Sequence, residues 1–116
     1  MRIEQFIAAR LAEDEQIARE SDTGDGEWFY DDRFDRVETS DENLYTLHHS
    51  EHIARHDPAR VLRQCAAVRE LLNVASDVDA MYSIAAEDAA DGIRRTIAAI
   101  WSDHRDYQQQ WADTVP

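Results

Sequence analysis

Apolar positions recur at the helical period through the first nineteen residues. Ile3, Phe6, Ile7, Leu11 and Ile17 fall on one side, which predicts an amphipathic helix over 3–19 with Arg10 and Asp14 as imperfect members of its face. Glu13, Asp14 and Glu15 are assigned to the solvent side. The run Ser21-Asp22-Thr23-Gly24-Asp25-Gly26 then breaks the helix. Beyond it the period shortens. Trp28-Phe29-Tyr30, Phe34 with Val37 and Thr39, and Leu44-Tyr45-Thr46-Leu47 are short aromatic and β-branched stretches. Asp31-Asp32-Arg33 and Ser40-Asp41-Glu42-Asn43 separate them as turns. This predicts an antiparallel meander of two or three strands, which at such lengths needs a helix on one face to persist.

From Ser50 the pattern is helical again. Ser50 can cap a short helix over 51–56, and Asp57-Pro58 marks a boundary. Proline disfavours helical backbone at Asp57 and suits the first position of a new helix, whose N-terminus Asp57 can cap. Val61, Cys65, Val68 and Leu72 then form an apolar stripe. Ser76-Asp77 reads as the start of a further helix carrying Val78, Met81, Tyr82, Ala85, Ala89, Ile93, Ile97 and Ile100, long unless Gly92 bends it. Residues 102–116 read as a polar tail that docks by Trp111. The expected fold class is α+β, a single domain over 1–116: an N-terminal helix, a small antiparallel meander, then two main helices and the docked tail. Its core is expected to hold Phe6, Leu11, Val61, Val68, Leu72, Ile93 and Ile97.

Charge narrows the choice of partner. The chain carries 25 acidic and 12 basic residues, a net −13, and every basic residue is Arg. Residues 13–51 alone hold fourteen acids against three Arg. Phosphate would be repelled, so direct contact with nucleic acid or an anionic membrane is not expected, and a protein with a basic surface is. No apolar run reaches the ~18–20 residues of a membrane span, and Met1-Arg2-Ile3-Glu4-Gln5 does not open as a secretory signal. A single Cys suits a reducing compartment. A cytoplasmic protein, monomer or homodimer, is the expectation.

Three stretches carry a resemblance: Ile3 to Ala18 (IEQFIAARLAEDEQIA), His52 to Arg63 (HIARHDPARVLR) and Asp103 to Trp111 (DHRDYQQQW), with Trp28 after the glycine-containing loop. Together they resemble a family, of unknown function, of small proteins from actinobacteria of the Streptomyces type and their phages, with a central HIARHDPARVL motif and a DHPDY-like C-terminal motif. The resemblance implies an actinobacterial or phage origin and a GC-rich genome, which accounts for the absent Lys. It transfers no catalytic residue. Many members carry Cys between the two later motifs, where this chain has Ala85-Ala86-Glu87-Asp88-Ala89-Ala90, and their usual Pro is Arg105 here.

Candidate chemistry is sparse. On a continuous helix His49, His52 and His56 would share a face and His48 would stack with His52, a spacing that can chelate Zn²⁺ or Ni²⁺, with Glu51, Asp57 or Asp103 completing the set, although no HExxH or Cys pair is present. The other reading has His52 and His56 packing between meander and helix. Arg55, His56, Asp57 and Arg60 suggest an anion site or, more simply, a capped helix start. Asp103, His104, Asp106 and Tyr107 are the nearest approach to an acid/base cluster. No GxSxG, P-loop or GxGxxG occurs, and Cys65 lies in the apolar stripe, so an enzyme is not expected and no cofactor is required. The reading preferred is a small accessory protein that binds another protein through Asp31, Asp32 and Asp35 with Trp28, Tyr30 and Tyr45. The alternatives are a mimic of nucleic acid that blocks a nucleic-acid-binding protein, and a His-cluster metal protein.

Overall fold

The computed structural model describes residues 1–22, 24–45 and 49–112. In chain order it contains helix α1 (Ile3–Glu20), strands β1 (Phe29–Asp31), β2 (Arg36–Glu38) and β3 (Asn43–Tyr45), and helices α2 (Ser50–Arg55), α3 (Pro58–Asp79) and α4 (Ile84–Ala98). Two 3-10 turns follow, Ala99–Trp101 and Gln109–Trp111. The α+β architecture expected from the apolar pattern is therefore present. The residues group into two compact units, one of Met1–Ala12 with Ala66–Pro116, the other of Glu13–Cys65. Among the described residues no helix is long and apolar enough to cross a membrane.

The first unit is helical and its centre is aromatic. Phe6, Ile7 and Leu11 are all but inaccessible, and Ala75, Ala86, Ala90, Ile97, Ala98 and Trp111 are buried with them. Leu72 and Ile93, expected in the core, are half-buried. One cation is buried here too. Arg94 places Nη2 2.5 Å from Asp79, Nη1 3.5 Å from Asp91 and Nε 3.7 Å from Glu4, so its charge is offset where water cannot do so.

The boundary between α3 and α4 corrects the sequence reading. Ser76-Asp77 does not begin a helix. The Ser76 hydroxyl donates back to the Leu72 carbonyl at 3.2 Å, and α3 continues to Asp79 because Ala75 is buried and Asp79 is tied to Arg94. The break falls at Ala80–Ser83, where Tyr82 takes a left-handed conformation (φ 50°). Ser83 caps α4, its side-chain oxygen accepting from Ala86 N–H at 3.1 Å. α4 then runs through Gly92 as one helix.

In the second unit the three strands form an antiparallel sheet of order β1-β2-β3. Tyr30 pairs with Val37 and Val37 with Leu44, so these three share one face. Val37 is fully buried and α2 packs across β1 and β2, which supplies the helix such short strands require. Asp57 then fastens the loop before β1 to the start of α3. One carboxylate oxygen accepts from Arg60 N–H at 2.8 Å and the other from Trp28 N–H at 3.1 Å. The Gly26 carbonyl accepts from Ala59 N–H at 2.9 Å. Two of the helix's unpaired N–H groups are thereby used. Gly26 has φ 73°, and a Cβ there would stand 3.3 Å from the Ala59 nitrogen, so both conformation and space require glycine. Val61 and Val68 are half-buried on α3, and the single thiol, Cys65, is buried.

Asp57→Ala removes a helix cap and a charged acceptor together and is expected to destabilise the protein by about 1–3 kcal/mol in urea unfolding. Asp57→Asn retains the cap oxygen but not the acceptor for Trp28, and should fall between. Equal losses for the two variants would show that the Trp28 bond carries the whole effect.

Candidate protein-interaction face

Of the residues singled out from sequence, Tyr30, Asp31, Asp32 and Asp35 lie on the β1–β2 hairpin, in unequal roles. Asp31 pairs with Arg36 at 3.1 Å, and its other oxygen accepts from Arg33 N–H at 2.9 Å across the turn. Arg36 also reaches Glu38 at 3.2 Å. Partial burial pushes the Asp31 carboxyl up, but the Arg33 N–H, the Arg36 charge and the Phe34 N–H together outweigh it and hold the group below its ordinary value. Asp35 sits at the turn's end with φ 48°. Its carboxylate accepts from the Tyr30 hydroxyl at 3.3 Å, and its carbonyl accepts from the buried Ser50 hydroxyl at 2.9 Å. Burial first, then the nearby Asp35 charge and hydrogen bond, raises the Tyr30 phenol above 10.0. Asp32 is exposed at the tip. The three acids thus do not form a uniform row: one locks the hairpin, one braces the turn and one faces water.

The aromatics divide similarly. Trp28 is half-buried and anchored by its backbone to Asp57, and its indole Nε1–H is buried with no acceptor among the described residues. It lines a cleft of ≈ 310 Å³ with Ile17, Ala18, His56, Pro58 and Val61. The exposed rings are Phe29 at 59% and Phe34 at 64%, with Tyr30 at 39%. Phe34 lies over the Arg36 guanidinium, 4.9 Å from its carbon to the ring centroid. By register, Phe29, Asp31, Arg36, Glu38 and Asn43 occupy the sheet face opposite Val37. Tyr45 is the last residue of β3, paired with Arg36, and its side chain lies outside the described residues. Sequence reading counted Phe29 and Phe34 as strand formers only. The outward side of Phe29 follows from its pairing with Glu38, beside the buried Val37, a register the sequence alone does not fix, and Phe34 stands in the turn.

The described histidines form no metal geometry. His48 lies outside the described residues. His49 precedes α2 in a left-handed conformation (φ 69°). His52 and His56 are exposed, their ring centroids 4.3 Å apart, with His56 Nδ1 2.8 Å from the His52 carbonyl oxygen. Among the described residues no three His, Cys, Asp or Glu side chains could hold one ion. The Arg55–Arg60 stretch is a capped helix start, as Asp57 shows, rather than an open anion site. His104 packs its ring against Phe6 at 5.7 Å and pairs Nε2 with the Arg10 guanidinium, a structural placement within the helical unit.

Because the folded pKa of Asp31 is depressed, its ionised form stabilises the hairpin above the unfolded value of 3.8, and that stabilisation is lost as pH falls through the lower folded value. Acid titration followed by NMR at the Arg36 Nε–H and the Arg33 amide should show both loosening below pH 3.8. In Asp31→Asn the same signals should be loosened already at neutral pH. An acid response identical in the two proteins would remove Asp31 as its cause.

A family model described as a family of unknown function (DUF6221) matches residues 1–113. No curated protein and no solved structure matches.

Proposed function

The chain belongs to this family of unknown function, and from that premise we propose that it is a small cytoplasmic accessory protein of an actinobacterium or its phage, without enzymatic activity, that binds another protein through the outer face of its sheet. One observation carries the reading. Two phenylalanines, Phe29 on β1 and Phe34 in the turn between β1 and β2, stand more than half exposed on a hairpin whose Val37 face is already covered by α2. Exposed aromatics of this kind are enriched at the centres of interfaces. Beside them Arg36 bridges Asp31 and Glu38, so each charge of the network has a partner within the hairpin and the trio carries a net single negative charge that a basic partner can offset. The surrounding rim is acidic: Asp32, Asp35, Asp41 and Glu42 are all exposed. With the net charge of −13, this favours a partner whose contact surface is apolar at its centre and basic at its edge, approached by electrostatic steering. The aromatic centre distinguishes this surface from a purely anionic one of the kind that would imitate nucleic acid.

The test is affinity capture from nuclease-treated actinobacterial lysate with wild type, Phe29→Ser/Phe34→Ser and Asp32→Lys, each at low and moderate salt. A stoichiometric partner should be retained by wild type and lost with the double Phe variant. Asp32→Lys and added salt should each weaken it about two- to tenfold, since rim charges act mainly on association. A partner kept undiminished by the double Phe variant would overturn the assignment of this face.

A further inference from the structure

The helical unit contains a groove of ≈ 690 Å³ that the hairpin reading leaves unused. One wall is a single face of α4 continued into the 3-10 turn: Asp88, Asp91, Gly92, Arg95, Thr96 and Ala99 recur at the spacing of successive turns. The other wall is Tyr107 and Trp111. That wall is rigid. Trp111 is 8% exposed, braced by Phe6 at 5.0 Å and by Tyr107 at 5.5 Å, edge to face. The volume lies within the range of small-molecule sites, about 300–1,000 Å³.

Gly92 points to a function for this space. It sits in the middle of α4, where glycine weakens a helix that alanine would strengthen, in a segment that uses alanine at 85, 86, 89, 90 and 98. No neighbour demands its small size, since a Cβ at Gly92 would meet no heavy atom within 4 Å. Its backbone does not adopt a positive φ either. What the missing side chain does leave is an open floor in the groove. The charged groups of the lining are Asp88, Asp91 and, a turn further on, Arg95. Asp91 also lies 3.5 Å from Arg94, but that cation is shared with Asp79 at 2.5 Å and Glu4 at 3.7 Å, so the Asp88–Asp91 end keeps an excess of negative charge. Carboxylates at one end and an indole and phenol at the other form a setting for an organic cation with an apolar body, the charge met by the carboxylates and the body packed on the rings.

We infer that this groove binds a small organic cation, an amine on an aromatic or apolar body, with its charged head at Asp88 and Asp91 and its body lying over Gly92 against Trp111. The site is independent of the sheet face, and either can fail without the other.

The test is an NMR titration of the full chain with phenethylamine, with phenethyl alcohol as the neutral isostere and phenylacetate as the anion. Saturable shifts confined to the Gly92, Thr96 and Ala99 amides and the Trp111 indole N–H are expected for the amine. The alcohol should bind about tenfold more weakly and the anion not at all, as loss of one charge-assisted contact implies. Gly92→Leu, which fills the floor while improving the helix, should abolish the shifts with the fold intact by circular dichroism. Asp88→Asn should weaken the amine about tenfold. Equal affinity for amine and alcohol, unchanged binding in Gly92→Leu, or no shift with amine on the order of 10 mM would each overturn the inference.

Discussion

Phe6 has no exposed surface, and four aromatic rings meet it: Trp111 at 5.0 Å, His104 at 5.7 Å, Tyr107 at 6.0 Å and Trp101 at 6.5 Å. Three of the four contacts are edge to face, the arrangement that ring quadrupoles favour. One side chain near the start of the chain thereby holds a segment about a hundred residues later that has almost no regular secondary structure of its own. The stretch from Ser102 to Ala112 is turns and a single 3-10 turn, which by hydrogen bonding alone could not keep a fixed course. Its order comes from burial of rings on Phe6, and the indole wall of the α4 groove depends on the same contact.

The sheet unit solves a different problem. Strands of three residues contribute few ladder bonds, and its stability comes from what is attached to it. Val37 and α2 supply burial, Asp31 with Arg36 closes the hairpin, and Asp57 with Gly26 ties the preceding loop to the first turn of α3. The acidic residues of this half are therefore not interchangeable surface charge. The carboxylates of Asp31 and Asp57 accept backbone N–H bonds and that of Asp35 accepts from the Tyr30 hydroxyl, while Asp32, Asp41 and Glu42 are exposed.

Much of this was legible in the sequence, and the reasons are local. The periodicity of Phe6, Ile7 and Leu11, the aromatic stretches with their acidic turns, and the Asp57-Pro58 boundary are all signals within a few residues, and each matches the element found. Misreading occurred where tertiary contacts decide between equivalent local signals. Ser76 and Ser83 are both plausible caps, and the choice falls to Ser83 because burial of Ala75 and the Asp79–Arg94 pair keep the helix intact past Ser76. Ile17, placed on the apolar face by its spacing, is 54% exposed, and Ala18 beside it is buried instead. The site was less legible than the fold. Asp31, Asp32 and Asp35 were visible as a cluster, but which of them is spent on structure depends on Arg36, Arg33 and Tyr30. The groove beside Gly92 needs two segments brought together and leaves no mark in either alone.

Cys65 gives the molecule a property apart from binding. Its thiol is 4% exposed on α3, and the chain has no other. A buried thiol reacts with a modifying reagent only in the moments when its surroundings open, so the rate of labelling measures how often they do. The protein thus carries its own clock for local opening of α3, at the residue where its second compact unit ends.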